Sequence, residues 1–83
     1  MRTPEHTGQF RRDIRRAQKR GKDMSKLRVV LTLLIAAEPL PPRLKDHPLT
    51  GDCHIEPDWL LLYKIDGNDL ILARTGSHAD LFR

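Results

Sequence analysis

Two apolar segments joined by a short polar turn constrain the fold of this 83-residue chain more than any other feature. Residues 59–65 are apolar almost without interruption, as in a strand that is covered on both faces or lies centrally in a sheet. The Asp-Gly-Asn-Asp sequence at 66–69 is a strong turn signal, and residues 70–75 form a second, mainly apolar run. The sequence therefore predicts an antiparallel β-hairpin.

Two helices are predicted before this hairpin. The first begins after Thr7, an acceptable N-cap, and runs to about Lys19. Its narrow apolar stripe consists of Phe10, Ile14 and Ala17. The second begins near Asp23 or Ser25, either of which can cap it, and ends before Pro39. Its broad apolar face consists of Leu27, Val30, Leu31, Leu34 and Ile35, thickened by Val29 and Leu33.

The chain is long enough for one modest core, so we expect a single domain over residues 1–83. Four prolines and a glycine between residues 39 and 51 indicate a loop after the second helix. The predicted fold is α+β, with two N-terminal helices packed on a small antiparallel β-sheet.

Residue composition also limits the cellular setting. With one cysteine, Cys53, the chain cannot form an intrachain disulfide, which fits a reducing cytosol. Its apolar runs are far shorter than a bilayer-spanning helix and its N-terminus is polar, so neither a membrane span nor a signal peptide is expected. We therefore expect a cytoplasmic protein.

Basic residues are concentrated in the N-terminal part. Residues 1–37 contain ten Lys or Arg against three acids, whereas residues 38–83 contain five against eight. Such a distribution suits a polyanion that is held by one part and chemically altered by the other, although a solvated helix face that aids solubility is an equal alternative. The candidate RNA contacts are Arg11, Arg12, Arg15, Arg16, Lys19, Arg20 and Lys22.

Three histidines in the C-terminal half, His47, His54 and His78, each lie near an aspartate. These aspartates are Asp46, Asp52, Asp58 and Asp80. Imidazole, with an unperturbed pKa of about 6.5, exchanges protons at neutral pH, and a carboxylate can fix its tautomer. Two such rings can act on one phosphodiester, one removing a ribose 2′-hydroxyl proton and the other protonating the leaving 5′-oxygen. An arginine such as Arg74 would stabilise the phosphorane, and that reaction needs no metal.

Other interpretations of these residues stay open at this point. The histidines can be ordinary surface residues, and a zinc site is conceivable, although the chain has one cysteine and no ligand pair at i, i+4 on a helix. Trp59, Tyr63 and Phe82 can belong to the core or stack RNA bases. The residue pattern alone indicates a basic α+β domain that can bind RNA.

Several longer segments resemble the YafQ family of bacterial toxins, within the RelE/ParE superfamily of type II toxin–antitoxin systems. They are Lys-Asp-His-Pro-Leu-Thr-Gly at 45–51, His-Ile-Glu-Pro-Asp-Trp-Leu-Leu-Leu-Tyr-Lys at 54–64 and Arg-Thr-Gly-Ser-His-Ala-Asp-Leu-Phe at 74–82. The stretches 17–27 and 31–35 are also similar, so the resemblance covers almost the whole chain.

This resemblance implies an endoribonuclease that cuts mRNA in the ribosomal A site by 2′-hydroxyl attack, without a metal or other cofactor. It also implies a cognate antitoxin similar to RelB or DinJ that silences the enzyme. By the same resemblance, the catalytic acid–base set is His47, His54, Asp58 and His78. Supporting roles fall to Asp52, Trp59, Arg74 and Phe82.

One departure from the family pattern is expected to affect activity. The family carries a segment of Trp-x-Gly-Tyr-Arg character where Gly51 here meets Asp52, and its loss would remove roughly half a dozen residues, about one strand. Two alternatives to the nuclease therefore stay open. One is a non-catalytic relative that still binds antitoxin, with or without binding the ribosome, and the other is a ParE-like poison of a protein target.

Overall fold

The computed structural model describes residues 1–47 and 51–82. In this part the strands and α-helices are, in chain order, β1 (Thr3–His6), α1 (Gly8–Lys19), α2 (Met24–Ile35), β2 (Asp52–Glu56), β3 (Trp59–Asp66), β4 (Asp69–Gly76) and α3 (His78–Leu81). A short 3₁₀ helix, Pro42–Leu44, lies between α2 and β2. None of the described helices is long and apolar enough to cross a membrane.

Capping side chains fix the start of both predicted helices. The Thr7 hydroxyl accepts a hydrogen bond of 3.0 Å from the N–H of Phe10 and so begins α1. The Asp23 carboxylate accepts one of 3.0 Å from the N–H of Ser25 and begins α2. The predicted helix starts and the end of α1 at Lys19 are confirmed.

The four strands form one sheet in the order β1-β4-β3-β2. The predicted hairpin of β3 and β4 is confirmed, and β2 pairs antiparallel with the other side of β3. The expectation of a purely antiparallel sheet is wrong, because β1 pairs parallel with β4, from Thr3 opposite Asp69 to His6 opposite Leu72. All four residues of β1 are exposed, so its pairing depends on backbone hydrogen bonds and leaves no apolar pattern in the sequence.

The helices cover one face of this sheet, and the core lies between the helices and the sheet. Its buried members are Phe10, Ala17, Leu27, Val30, Leu34, Leu44, Cys53, Ile55, Trp59, Leu61, Tyr63, Leu70 and Leu72. Ile14, Leu31 and Ile35 are partly buried against it, whereas Val29, placed on the predicted apolar face of α2, is 53% exposed. The Cys53 side chain has no exposed surface, and burial raises the pKa of its thiol to about 12.

The connection from α2 to β2 was predicted as a loop, and its described residues contain the 3₁₀ helix and one isolated bridge. His47 and Asp52 form this antiparallel bridge, in which the N–H of His47 donates to the carbonyl of Asp52 at 2.8 Å. Gly51, directly before Asp52, has a φ of 69°, and a Cβ atom there would lie 2.0 Å from the carbonyl oxygen of Tyr63. This close approach of two backbone segments requires glycine.

Candidate active site

Asp58 and His78 form a direct acid–imidazole contact at the exposed end of the sheet. The turn between β2 and β3 carries Asp58, and Ser77 caps α3 so that His78 is its first residue. One Asp58 oxygen lies 2.7 Å from Nδ1 of His78 and also accepts the backbone N–H of His78 at 3.0 Å. The backbone hydrogen bond and then the ring contact hold the pKa of Asp58 below its usual range.

This contact fixes which nitrogen of the ring can meet a substrate. An ionised carboxylate only accepts hydrogen bonds, so the Nδ1 of His78 must carry the proton in the pair with Asp58. Nε2 is then the nitrogen that can exchange a proton with a bound molecule. The His78 side chain is 54% exposed, which leaves this nitrogen accessible.

His54 is the second histidine of this cluster, and the register of the sheet explains its position. His54 on β2 pairs with Leu60 on β3, which pairs with Gly76 on β4, two residues before His78. The centroids of the His54 and His78 rings are 5.8 Å apart, with the ring planes inclined by 63°. The Phe82 ring also lies near His78, with ring centroids 6.1 Å apart. The rings of three predicted site residues therefore lie close together, with His78 near both of the others.

His47 and Asp52 lie on the same sheet face as His54, in the neighbouring row of residues that pair across the strands. Residues that pair across an antiparallel bridge project to the same face, as do residues two apart on one strand. His47 pairs with Asp52, which is two residues before His54, so all three project to one side of the sheet. In that neighbouring row Asp52 pairs with Leu62, which pairs with Arg74.

A buried carboxylate on α1, Asp13, holds Arg74. The Nε and Nη2 atoms of Arg74 lie 2.7 and 3.3 Å from the two Asp13 oxygens, and the N–H of Thr75 donates to one of them at 3.2 Å. Burial raises the pKa of Asp13, but the hydrogen bonds from Arg74, Gln9 and Thr75 outweigh it and keep that pKa below its usual range. Arg74 is therefore fixed in place while 30% of its side chain stays exposed.

The prediction did not identify Asp13, although the sequence contained a signal for it. Phe10, Asp13 and Ala17 are spaced by three and four residues and so lie on one helix face. All three are buried, and Asp13 is only 2% exposed. An acid on an apolar stripe needs a buried partner, and Arg74 is that partner.

The two predicted aromatic members of the site have different environments. Trp59 is 1% exposed, its Nε1–H donates to the Thr75 hydroxyl at 2.9 Å, and the ammonium of Lys22 lies 5.8 Å from its ring centroid. The buried ring contacts β4 through Thr75 and cannot be reached by a base. Its burial favours the core interpretation of Trp59 over base stacking. Phe82 is 58% exposed and can be reached by a base.

Three members of the predicted RNA-binding set, which stays a prediction, contact carboxylates of the protein itself. Asp80 lies 3.2 Å from Nη1 of Arg16 and 2.7 Å from Nη1 of Arg20, and Lys22 lies 3.3 Å from Glu56. The hydrogen bond from Arg20 is the main reason that the pKa of Asp80 is far below its usual range. Asp80 therefore ties α3 to α1 and does not partner His78. The remaining members, all on the exposed side of α1, are Arg11, Arg12, Arg15 and Lys19.

Within residues 1–47 and 51–82, no three His, Cys, Asp or Glu side chains come together as a set of metal ligands. The described cluster contains the residue types that acid–base chemistry uses. It contains two imidazoles, one of them oriented by a carboxylate, an anchored arginine on the adjacent row and an exposed aromatic ring.

Comparison with known proteins yields one family and several close relatives. The family described as "Bacterial toxin of type II toxin-antitoxin system, YafQ" matches residues 2–83. The mRNA interferase toxin YafQ of Escherichia coli K12 is 51% identical over 85 residues, which cover 94% of this chain and 92% of that protein.

Solved structures of similar toxins share the whole fold. The E. coli DinJ–YafQ complex contains a chain with a TM-score of 0.92 and 50% identity, with full coverage of both chains. A metal-bound toxin from Helicobacter pylori has a TM-score of 0.91 and 41% identity, covering 99% of this chain and 100% of that one. The predicted α+β fold is therefore confirmed.

Proposed function

The chain belongs to the YafQ family of bacterial type II toxins, and on that premise we propose that it is an endoribonuclease that cleaves mRNA on the ribosome. The relative from E. coli is an mRNA interferase with half of its residues identical to those of this chain. Cleavage proceeds by attack of a ribose 2′-hydroxyl on the adjacent phosphorus and uses protein side chains as acid and base.

The grouping of Asp58, His78 and His54 is the observation that carries this proposal. In an in-line displacement the attacking and leaving oxygens are on opposite sides of phosphorus, so the base and the acid must approach from different directions. Two rings that are 5.8 Å apart and inclined by 63° suit that requirement. Asp58 orients one of them and leaves its Nε2 for proton transfer. His47 is on the adjacent row of the same face and completes the predicted acid–base set.

Arg74 stabilises the charge that develops on the phosphorane. Arginine has five N–H donors, and Asp13 uses one on Nε and one on Nη2. Three N–H groups are therefore left for a phosphate, on a guanidinium whose position the buried carboxylate already fixes. Phe82 provides a stacking surface for a base next to His78.

A DinJ-like antitoxin is the proposed protein partner, because the E. coli relative has been solved in complex with DinJ. The cytoplasm, where translated messages are found, is the proposed location. The absence of a family segment between Gly51 and Asp52 stays a prediction, and β2 begins directly at Asp52. Cleavage by the unaltered chain would show that a site of this form is active.

Primer extension on a translated message, with and without ribosomes, tests the proposal. We expect cuts at defined positions only when ribosomes are present, and their loss on His78→Ala. A matched control is His6→Ala, because His6 is on β1 at the far edge of the sheet. In a parallel growth assay, toxicity that survives His78→Ala would indicate a protein target. No toxicity from either chain would indicate a non-catalytic antitoxin binder.

A further inference from the structure

A groove of about 540 Å³ opens beside β2, between α2 and the 3₁₀ helix. Buried apolar side chains form its floor, and an exposed valine of α2, Val29, forms part of its wall. The floor residues are Val30, Leu44 and Ile55. The groove is therefore a built concave surface, and its apolar lining includes a side chain that the protein core does not use.

Cations dominate the rim of this groove. Lys26 is on α2, and Arg43 and Lys45 are on and just after the 3₁₀ helix. Among the described residues that line the groove, Glu56 is the one carboxylate. Lys22 and Lys26 already contact its oxygens at 3.3 and 2.9 Å, and those contacts lower its pKa. Arg43 and Lys45 therefore leave a positive surplus on the rim of the groove.

The groove is continuous with the proposed active site. His54 lines the groove and is also the ring next to His78 in the acid–base cluster. A chain with a phosphodiester between these two histidines would pass over β2 into the groove at the next nucleotide. The surplus cations of the groove can bind a further phosphate of that chain.

We propose that this groove is a subsite for the RNA nucleotide next to the cleaved phosphodiester. Arg43 and Lys45 bind its phosphate, and its base lies against the apolar side chain of Val29. This proposal rests on the proposed nuclease function and adds to it a location for the flanking part of the substrate. An acidic protein segment would also match the charge, but only a substrate strand needs the connection through His54.

Binding of a non-cleavable RNA tests the subsite without requiring cleavage. The probe is a short single-stranded RNA whose 2′-oxygens are methylated and so cannot attack, titrated to millimolar concentration into the full-length protein and followed by NMR. We expect the methyl signals of Val29 and Val30 and the ring signals of His54 to shift on binding. The absence of shifts in these signals would overturn the proposal.

Charge removal supplies the second measurement. In the double variant Arg43→Ala/Lys45→Ala, we expect affinity for the probe to fall on the order of tenfold. The slope of log affinity against log salt should become shallower by about 0.7 for each lost phosphate contact on single-stranded RNA. Lys64→Ala and Arg28→Ala each remove one exposed cation from β3 and α2 outside the groove lining and should leave the slope unchanged.

The outcomes separate this proposal from the nuclease proposal. Unchanged affinity and slope in the double variant would refute the subsite, even if the unaltered chain cleaves mRNA. If the double variant lost antitoxin binding but kept RNA binding, the subsite would also be refuted, and the groove would be assigned to the protein partner. Groove shifts and a shallower slope in a chain that does not cleave would refute the nuclease and with it the subsite as stated, and would leave an RNA-binding groove.

Discussion

Replacing Asp13 by Asn removes a buried negative charge and should destabilise the protein while displacing Arg74. Asp13 is 2% exposed and accepts hydrogen bonds from Arg74, Gln9 and the N–H of Thr75. Asn keeps one oxygen acceptor but turns an N–H₂ group towards donors. At least one hydrogen bond to the charged guanidinium is therefore lost, and two donors face each other.

The magnitude follows from the burial of the two partners. A hydrogen bond to a charged group contributes about 1.5–3 kcal/mol, and breaking a fully buried ion pair costs about 3–5 kcal/mol. The Arg74 side chain is 30% exposed and can be partly rehydrated, so we expect a loss of about 2–4 kcal/mol. In a domain of this size each 1 kcal/mol lowers Tm by about 4–8 °C, which predicts a fall of roughly 8–32 °C.

Thermal unfolding followed by circular dichroism measures this loss. Asp66→Asn is the matched control, because Asp66 is an exposed residue at the hairpin turn and the same change of charge should stay within about 0.5 kcal/mol there. A Tm for Asp13→Asn within about 3 °C of the unaltered chain would refute the argument. It would mean that the carboxylate contributes no more than a neutral amide.

The pH dependence of stability gives an independent check on the same residue. The pKa of Asp13 is lower in the folded state than the value of about 3.9 in an unfolded chain. Its contribution is therefore complete above the unfolded pKa and is lost as pH falls through the folded pKa. We expect the difference in Tm between the unaltered chain and Asp13→Asn to shrink in acid. A difference that grows towards low pH would contradict this sign.

Three further predictions concern the site. His78→Ala should slow cleavage by about 10²- to 10⁴-fold, the usual contribution of a positioned acid–base group, and an unchanged rate in primer extension would remove the residue from the site. EDTA should leave ribosome-dependent cleavage intact, whereas chelator-sensitive cleavage would indicate a metal-dependent reaction. Asp80→Asn should speed hydrogen exchange at the amide of Phe82, which donates to the carbonyl of His78 at 2.9 Å, because it loses the ion pairs between α3 and α1. An exchange rate at Phe82 equal to that in Asp66→Asn would show that these ion pairs do not stabilise α3.

Local signals in the sequence predicted the helices and the hairpin. Thr7 and Asp23 cap the helices as expected, and the turn at 66–69 joins two strands that have their own apolar runs. These features depend on residues close in sequence. The strand β1 depends on backbone pairing with β4, more than sixty residues away, and its exposed side chains leave no pattern to read.

The site shows the same division between local and distant information. Residue types predicted an acid–base cluster, and the family resemblance selected its members, but spacing could not show which carboxylate partners which ring. His78 is two residues from Asp80 and twenty from Asp58, yet its ring contacts Asp58. Asp80 turns instead to arginines on α1, because the capping box at Ser77 directs its side chain towards that helix.

The inaccessible thiol of Cys53 has a practical consequence for labelling experiments. It is the only cysteine of the chain, and its buried thiol does not form a reactive thiolate near neutral pH. A maleimide dye or photo-crosslinker would therefore attach only to a cysteine introduced on the surface, for example by Val29→Cys. Such a probe would report directly on what enters the neighbouring groove, without first removing the native cysteine.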